Sequence, residues 1–162
     1  MFNTGAEVSR TRQDDAQRAA RFVETGVTSA LENASVFSLC SKRELKLVAK
    51  LAKMRTYASG STIFVEGDTV PDAMFVILEG RAEVRRGSRR IAELGAGDVV
   101  GELAVLGRVP RNATVTAVAR CETAVISRRD VYRLIEDAPG FSRKLLEALA
   151  SRVRELDRSL VG

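Results

Sequence analysis

The segment from Gly101 to Thr114, G-E-L-A-V-L-G-R-V-P-R-N-A-T, places one carboxylate, one guanidinium and several small residues between two apolar runs. The planar guanidinium of Arg111 can donate two parallel hydrogen bonds to phosphate oxygens, which a lysine ammonium group does less well. The charge of Glu102 would repel a phosphate, so its carboxylate is better suited to accept a hydrogen bond from a hydroxyl, such as a ribose 2′-OH. These residue types suit a small anionic sugar phosphate.

The residues between these two side chains favour contact of a ligand with the backbone. Leu103-Ala104-Val105-Leu106 predicts a very short helix, whose first turn leaves amide N–H groups that can bind an anion. Gly101 lets the backbone approach closely, and Ala104 and Ala113 are small enough for a ligand to reach main-chain donors. Pro110 restricts the loop before the guanidinium. The predicted ligand-binding residues of this segment are Val100, Gly101, Glu102, Leu103, Ala104, Pro110, Arg111, Asn112 and Ala113.

With the preceding L-G-A-G-D-V-V and the following V-T-A-V, the segment resembles the phosphate-binding cassette of cyclic-nucleotide-binding domains. Such domains occur in the catabolite activator protein family, in protein kinase A regulatory subunits and in cyclic-nucleotide-gated channels. The resemblance implies that Glu102 contacts the ribose, that Arg111 contacts the cyclic phosphate, and that amides near Ala104 and Ala113 complete the cradle. It implies a cyclic nucleotide receptor with cAMP as ligand and cGMP as the alternative.

Two features of the cassette allow a second interpretation. Glu102 and Arg111 could form a structural ion pair across a β-hairpin, and Pro-Arg-Asn could be an ordinary solvated turn. Family members that favour cGMP often carry Thr or Ser after the cassette Arg, and cAMP-binding kinase subunits often carry Ala. Asn112 fits neither habit, because its amide can bond a phosphate oxygen or either purine, or can merely cap the turn.

The hydrophobic pattern after Tyr57 is typical of many short strands separated by glycine turns. It predicts an α+β fold, in which an antiparallel β jelly roll of about eight strands spans about 56–127. A short phosphate-binding helix and flanking N- and C-terminal helices complete this fold. The turns E-G-D and I-L-E-G lie where the family places its turns, and the resemblance covers the chain from about Ser35 onward.

Helical patterns flank the predicted strands. Arg10 to Leu31 carries apolar or small residues at helical spacing, and capping motifs begin at Ser41 and Ser127. We therefore divide the chain into an N-terminal helical segment, 1–34, and a cyclic-nucleotide-binding domain, 35–162, whose C-terminal helices span 128–160.

The last helix, predicted from Phe141 to about Leu160, has an apolar stripe with spacings of three and four residues. The stripe is too short to establish a coiled coil, so it could pack on its own jelly roll or form a homodimer. The resemblance implies a lid helix over the base, which in the bacterial regulators also forms the dimer seam. The candidate lid residues are Leu149, Arg152, Val153 and Leu156.

The composition excludes several classes of protein. The chain has no histidine, which rules out Ser-His-Asp and Cys-His hydrolases and His-ligated zinc sites. It also lacks a P-loop, a dinucleotide-binding glycine motif and a kinase signature. We therefore predict no enzyme activity, no catalytic residue, no cofactor and no metal site. Cys40 and Cys121 lack metal-site or disulfide spacing, so we expect both to be reduced.

The charge and hydropathy patterns bear on location and partners. No apolar run approaches the ~18–20 residues that span a bilayer, and the N-terminus lacks a signal peptide, so we expect a cytoplasmic protein without a membrane partner. The net charge of +5 is compatible with a nucleic-acid partner. In the DNA-binding members of the family that the cassette resembles, however, a helix-turn-helix domain would follow the last helix, and the chain ends at Gly162. We therefore expect no direct contact with nucleic acid.

These observations together predict a stand-alone cyclic nucleotide receptor that binds cAMP and signals to a downstream protein, itself unidentified, through its flanking helices. One alternative is a degenerate fold that serves as a protein-interaction domain. Another is the sensor fragment of a transcription regulator.

Overall fold

The computed structural model describes Gln17 and residues 28–161, except for the side chains of residues 156 and 159–161. Of the predicted N-terminal helix, Gln17 and residues 28–31 are helical, and its other residues lie outside the described part. A 3-10 helix spans Ser35–Phe37. The further helices are α1 (Lys42–Leu51), α2 (Glu102–Gly107), α3 (Arg128–Asp137) and α4 (Pro139–Val161). The strands are β1 (Lys53–Tyr57), β2 (Thr62–Phe64), β3 (Ala73–Glu79), β4 (Arg81–Arg86), β5 (Arg89–Gly95), β6 (Val99–Val100), β7 (Thr114–Ala117) and β8 (Cys121–Ser127).

The eight strands form two antiparallel four-stranded sheets, in the orders β1-β8-β3-β6 and β2-β7-β4-β5. Central pairings include Val76 with Ala124 in the first sheet and Val84 with Val115 in the second. Two such sheets with flanking helices confirm the predicted α+β jelly roll. Because β6 and β7 belong to different sheets, the cassette between them runs from one sheet to the other.

Strand β3 is buried on both faces, which explains its continuous apolar sequence. Met74 and Val76 pack in one core, which contains α1, α3 and the start of α4. Phe75 and Ile77 point the other way, into the core between the two sheets. β3 therefore connects the helical layer to the sandwich that carries the cassette.

Side-chain caps fix where two of the helices begin. Ser41 and Glu44 form a reciprocal capping box at α1, and the Ser127 hydroxyl accepts a hydrogen bond from the Asp130 amide at α3. Both predicted capping motifs are thus confirmed. Helix α4 begins at Pro139, two residues before the predicted Phe141, because proline is tolerated in a first helical turn, where its missing N–H has no intrahelical acceptor.

The first turns of α4 are anchored in the helical layer. Phe141 is buried and stacks on Phe37, with ring centroids 5.8 Å apart. The Gly140 amide donates to the Glu44 carboxylate at 3.1 Å, which ties α4 to the start of α1. Further along the helix, Leu146 and Val153 are 67% and 65% exposed. The N-terminal end of α4 is therefore held firmly, and its later turns pack much less.

We predict that Gly80→Ala destabilises the fold much more than Gly60→Ala. Both glycines have positive φ, +97° and +86°, so both substitutions incur the left-handed strain of about 1–2 kcal/mol. A Cβ at Gly80 would also overlap the backbone carbonyl of Arg120, whereas nothing lies within 4 Å of one at Gly60. We expect a loss of about 3 kcal/mol or more for Gly80→Ala, measured by denaturant unfolding. Equal losses for the two variants would contradict this packing argument.

Candidate functional site

The cassette lines a cavity of about 630 Å³ between the second sheet and α4, a volume typical of a small-molecule site. The structure brings together there most of the residues predicted from the sequence. Those that line the cavity are Val100, Gly101, Glu102, Leu103, Ala104, Arg111, Asn112, Ala113, Leu149, Arg152 and Val153. Pro110 is exposed and lies outside this lining. The predicted lid residue Leu156 lies in α4, but its side chain is outside the described residues.

The rest of the cavity wall was not predicted from the sequence. It is mostly apolar and comes from β2, β4 and β5, from residues that flank the cassette and from α4. No local motif marks the residues of β2 and β4, because the sheet topology determines which strands face the cassette. The additional lining residues are Phe64, Val84, Arg86, Ile91, Ala92, Leu94, Val99, Val115 and Glu155.

Arg111 is buried, with 3% of its surface exposed, and the fold uses part of its guanidinium. Its Nη1 donates to the Gly101 carbonyl at 3.1 Å, and its Nη2 donates to the Ala73 carbonyl at 2.7 Å and to the Pro71 carbonyl. A guanidinium has five N–H donors, so Nε–H and one Nη1–H have no acceptor among the described residues. Arg111 therefore has two N–H groups left for a ligand while it keeps its contacts with the fold.

Aromatic and backbone contacts also hold Arg111. The guanidinium carbon lies 4.2 Å from the centroid of the Phe64 ring, within the range of a cation–π contact. Its backbone amide donates to the Asp68 carbonyl, and its carbonyl accepts from the Gly67 amide, both at 2.8 Å. Burial lowers the pKa of Arg111, whereas the charges of Asp72 and Glu102 raise it. The predicted E-G-D turn thus clamps the residue that carries the cationic group.

Gly101 is required where the cassette passes Arg111. Its φ is +90°, in the left-handed region that favours glycine. A Cβ there would lie 2.5 Å from Arg111 Nη1 and 3.1 Å from the Ala73 carbonyl oxygen. A side chain would therefore displace the guanidinium from the carbonyl oxygens that orient it.

Glu102 is buried, with 4% of its surface exposed, and it pairs with α4. Its Oε1 lies 2.5 Å from Arg152 Nη2, and its Oε2 is buried without a hydrogen-bond partner. Burial raises the pKa of this carboxyl, and the charges of Arg152 and then Arg111 oppose that rise. The ion-pair partner of Glu102 is thus Arg152, so the alternative of a structural Glu102–Arg111 pair is not what the described residues form.

Asn112 lies at the exposed edge of the cavity. Its backbone carbonyl accepts a hydrogen bond from Arg86 Nε at 3.1 Å. Within the part of the chain that the structure describes, its side-chain amide makes no hydrogen bond, so it does not cap the turn there. The amide is therefore available to a ligand.

The described residues also bear on metal binding, membrane insertion and thiol chemistry. Within Gln17 and 28–161, no group of three or more Cys, Asp or Glu side chains is placed to hold a metal ion. No helix in that range is long and apolar enough to span a bilayer. Cys40 and Cys121 are free thiols, and burial is the main cause that raises the pKa of Cys40 to about 11. A thiol with that pKa is a poor nucleophile near neutral pH.

The model of the cyclic nucleotide-binding domain family matches residues 54–138, just over half of the chain. A putative potassium channel protein of Rhodopseudomonas palustris is 34% identical over 128 residues, which cover 76% of this chain and 31% of that protein. The cyclic AMP receptor protein of Thermus thermophilus is 29% identical over 135 residues, which cover 80% of this chain and 62% of that protein. This chain therefore spans less than two thirds of either relative.

A solved structure agrees with these sequence matches. The crystal structure of the Thermus thermophilus catabolite activator protein matches with a TM-score of 0.72 and 30% identity, over 78% of this chain and 62% of that chain. The family match includes nearly all of the two sheets and the entire cassette. The resemblance seen in the cassette sequence is thus confirmed, and the chain belongs to the cyclic nucleotide-binding domain family.

Proposed function

We propose that this protein is a non-catalytic receptor for a 3′,5′-cyclic nucleotide, that cAMP is its preferred ligand, and that it signals occupancy to a downstream protein through its helices. One observation carries the proposal: a guanidinium with two unused donors and a buried carboxylate with one unpartnered oxygen line the same cavity. A buried polar atom without a partner costs free energy, so Glu102 Oε2 calls for a hydrogen-bond donor. A sugar phosphate supplies both the anion and the hydroxyl.

The distribution of polar groups suggests how the ligand lies. The cyclic phosphate would accept hydrogen bonds from Arg111 and from amides near Ala104 and Ala113, and the ribose 2′-hydroxyl would donate to Glu102. The purine would then occupy the apolar remainder of the cavity, between the second sheet and the side chains of Leu149 and Val153. Burial of its faces against aliphatic side chains supplies the hydrophobic part of the affinity.

Two arguments favour cAMP over cGMP. The wall around the proposed base position is mostly aliphatic, and adenine has fewer hydrogen-bonding groups than guanine to desolvate without compensation. The relative from Thermus thermophilus is named a cyclic AMP receptor protein, and at 29% identity it supports the same ligand here. The amide of Asn112 can bond either purine, so the preference depends on the apolar wall.

Helix α4 is suited to transmit occupancy. Its first turns are fixed by Phe141, whereas Leu149 and Val153 in its later turns line the cavity. A ligand that contacts these later turns shifts the helix by the difference between its affinities for the two helix positions. Displacement of α4 is the output that we propose a partner protein detects.

The first test of the receptor function is calorimetric titration of cAMP and cGMP. We expect cAMP to bind more tightly than cGMP, and Arg111→Gln to weaken cAMP binding by at least about tenfold, because a charged hydrogen bond contributes about 1.5–3 kcal/mol. Arg108→Gln is the matched control, since Arg108 is an exposed arginine of the same loop that does not line the cavity. Circular dichroism would confirm that both variants fold.

Three results would count against the proposal. Absence of binding of either cyclic nucleotide to the unmodified protein at millimolar concentration would refute the receptor function. Equal or tighter binding of cGMP would refute the preference for cAMP. Equal effects of Arg111→Gln and Arg108→Gln would refute the role of Arg111 as the phosphate ligand.

A second prediction concerns the stability of the ligand-free protein. Burial raises the pKa of Glu102 in the folded state, so the fold favours the protonated carboxyl and ionisation of Glu102 opposes folding. The stability that the protonated carboxyl contributes is fully present below the unfolded pKa and is lost as pH rises through the folded pKa. Glu102→Gln should therefore raise Tm at pH 7 by about 2–4 °C for each kcal/mol gained. The gain should vanish well below the ordinary glutamate pKa of about 4.3.

Glu136→Gln is the control for this measurement, since Glu136 is exposed on α3 and forms no ion pair among the described residues. Thermal unfolding at pH 7 and at acidic pH would compare the two variants. A lower Tm of Glu102→Gln at pH 7 would show that the ion pair with Arg152 outweighs the cost of burial.

A further inference from the structure

The ion pair between Arg152 and Glu102 connects the last helix to the cassette. The other ion pairs of α4 in the described residues, Arg143 with Glu147 and Lys144 with Glu147, lie within the helix itself. Arg152 is part-exposed, with 41% of its side chain accessible, whereas the Glu102 side chain is 5% exposed. A part-exposed arginine of α4 thus reaches a buried carboxylate in the cavity wall.

The two oxygens of this carboxylate have different environments. Oε1 lies 2.5 Å from Arg152 Nη2, whereas Oε2 is buried and has no hydrogen-bond partner. A carboxylate can accept hydrogen bonds at both oxygens, so the contact with Arg152 leaves Oε2 free to accept a hydrogen bond. The contact with α4 therefore does not compete with a hydroxyl donor for the same atom.

We infer that Arg152 is a positioning residue of the ligand site, which holds Glu102 by Oε1 so that Oε2 accepts the ribose 2′-hydroxyl. This inference rests on the proposed function. Arg152 lines the cavity, yet its Nη2 faces the carboxylate. In this arrangement Arg152 affects the ligand by positioning Glu102 and not by direct contact with the purine base. Its charge also opposes the rise in the pKa of Glu102 that burial causes, which favours the ionised carboxylate, and an ionised acceptor makes the stronger hydrogen bond.

This arrangement links the 2′-hydroxyl to the position of α4. A hydroxyl at Oε2 restrains the carboxylate, and the restrained carboxylate holds Arg152 and the exposed later turns of the helix. Because coupling between two contacts is reciprocal, the arginine must strengthen binding of the hydroxyl as much as the hydroxyl strengthens the arginine contact. Discrimination between ribose and 2′-deoxyribose therefore depends on Arg152 as well as on Glu102.

The test combines two ligands with two variants. Calorimetry would measure cAMP and 2′-deoxy-cAMP binding to the unmodified protein, to Arg152→Gln and to Arg154→Gln. Arg154 is the matched control, because it is exposed on the same helix and does not line the cavity. We expect Arg152→Gln to weaken cAMP binding about five- to tenfold and to change 2′-deoxy-cAMP binding by less than about twofold, as loss of one hydroxyl-dependent interaction requires. Arg154→Gln should leave both affinities unchanged.

Hydrogen exchange supplies an independent readout. In the unmodified protein, cAMP should protect the amides of residues 146–155 more than 2′-deoxy-cAMP does at equal saturation. This difference should disappear in Arg152→Gln. Arg152→Lys should restore part of the discrimination, because an ammonium group keeps the charge but lacks the planar fork.

The alternatives give distinct results. If Arg152→Gln weakens both ligands equally, Arg152 contacts the base or phosphate directly and the inference is wrong. If it tightens cAMP binding, Arg152 competes with the ribose and the inference is also wrong. If the unmodified protein binds neither ligand, the proposed function itself fails, an outcome that no result with the variants can mimic.

Discussion

The buried guanidinium of Arg111 is the interaction on which the site depends. A charge in the interior is tolerated only if polar groups surround it, and here the carbonyls of Pro71, Ala73 and Gly101 accept its hydrogen bonds while Phe64 faces it. These groups come from the segment before β3, from the first residue of β3, from the turn before α2 and from β2. The guanidinium thus joins the strand shared by both cores to the cassette that crosses between the sheets.

Both charged groups of the site contribute to the fold, and in the proposed receptor they also bind the ligand. Arg111 uses three donors on backbone carbonyls and keeps two, and Glu102 uses one oxygen on Arg152 and keeps the other buried. A site that must recognise a ligand retains unpaired polar atoms in its empty state, which lowers stability in exchange for binding. Replacement of the buried carboxylate by a neutral amide removes the cost and the recognition together.

The sequence reveals the cassette because its residues are contiguous, and it reveals the fold because short apolar runs alternate with glycine turns. The capping residues Ser41 and Ser127 are local as well. The partners of the charged groups are distant in the sequence. Arg111 donates to carbonyls 38 and 40 residues away, and Glu102 forms an ion pair with Arg152 of α4. Such contacts follow from strand order and helix packing, which no spacing in the cassette encodes. For this reason the only structural partner predicted for Arg111 was Glu102, and not the backbone carbonyls that accept its hydrogen bonds.

The proposed movement of α4 depends on the uneven packing of this helix. Buried Phe141 and Leu145 fix one end, while exposed Leu146 and Val153 show that later turns gain little from their own domain. The free energy needed to displace weakly packed turns is small, so such turns belong to the least stable part of a fold. A single ion pair and a few apolar contacts with a ligand can then decide their position. In the proposed receptor, the exposed side chains of these weakly packed turns are also the surface that a downstream protein would contact.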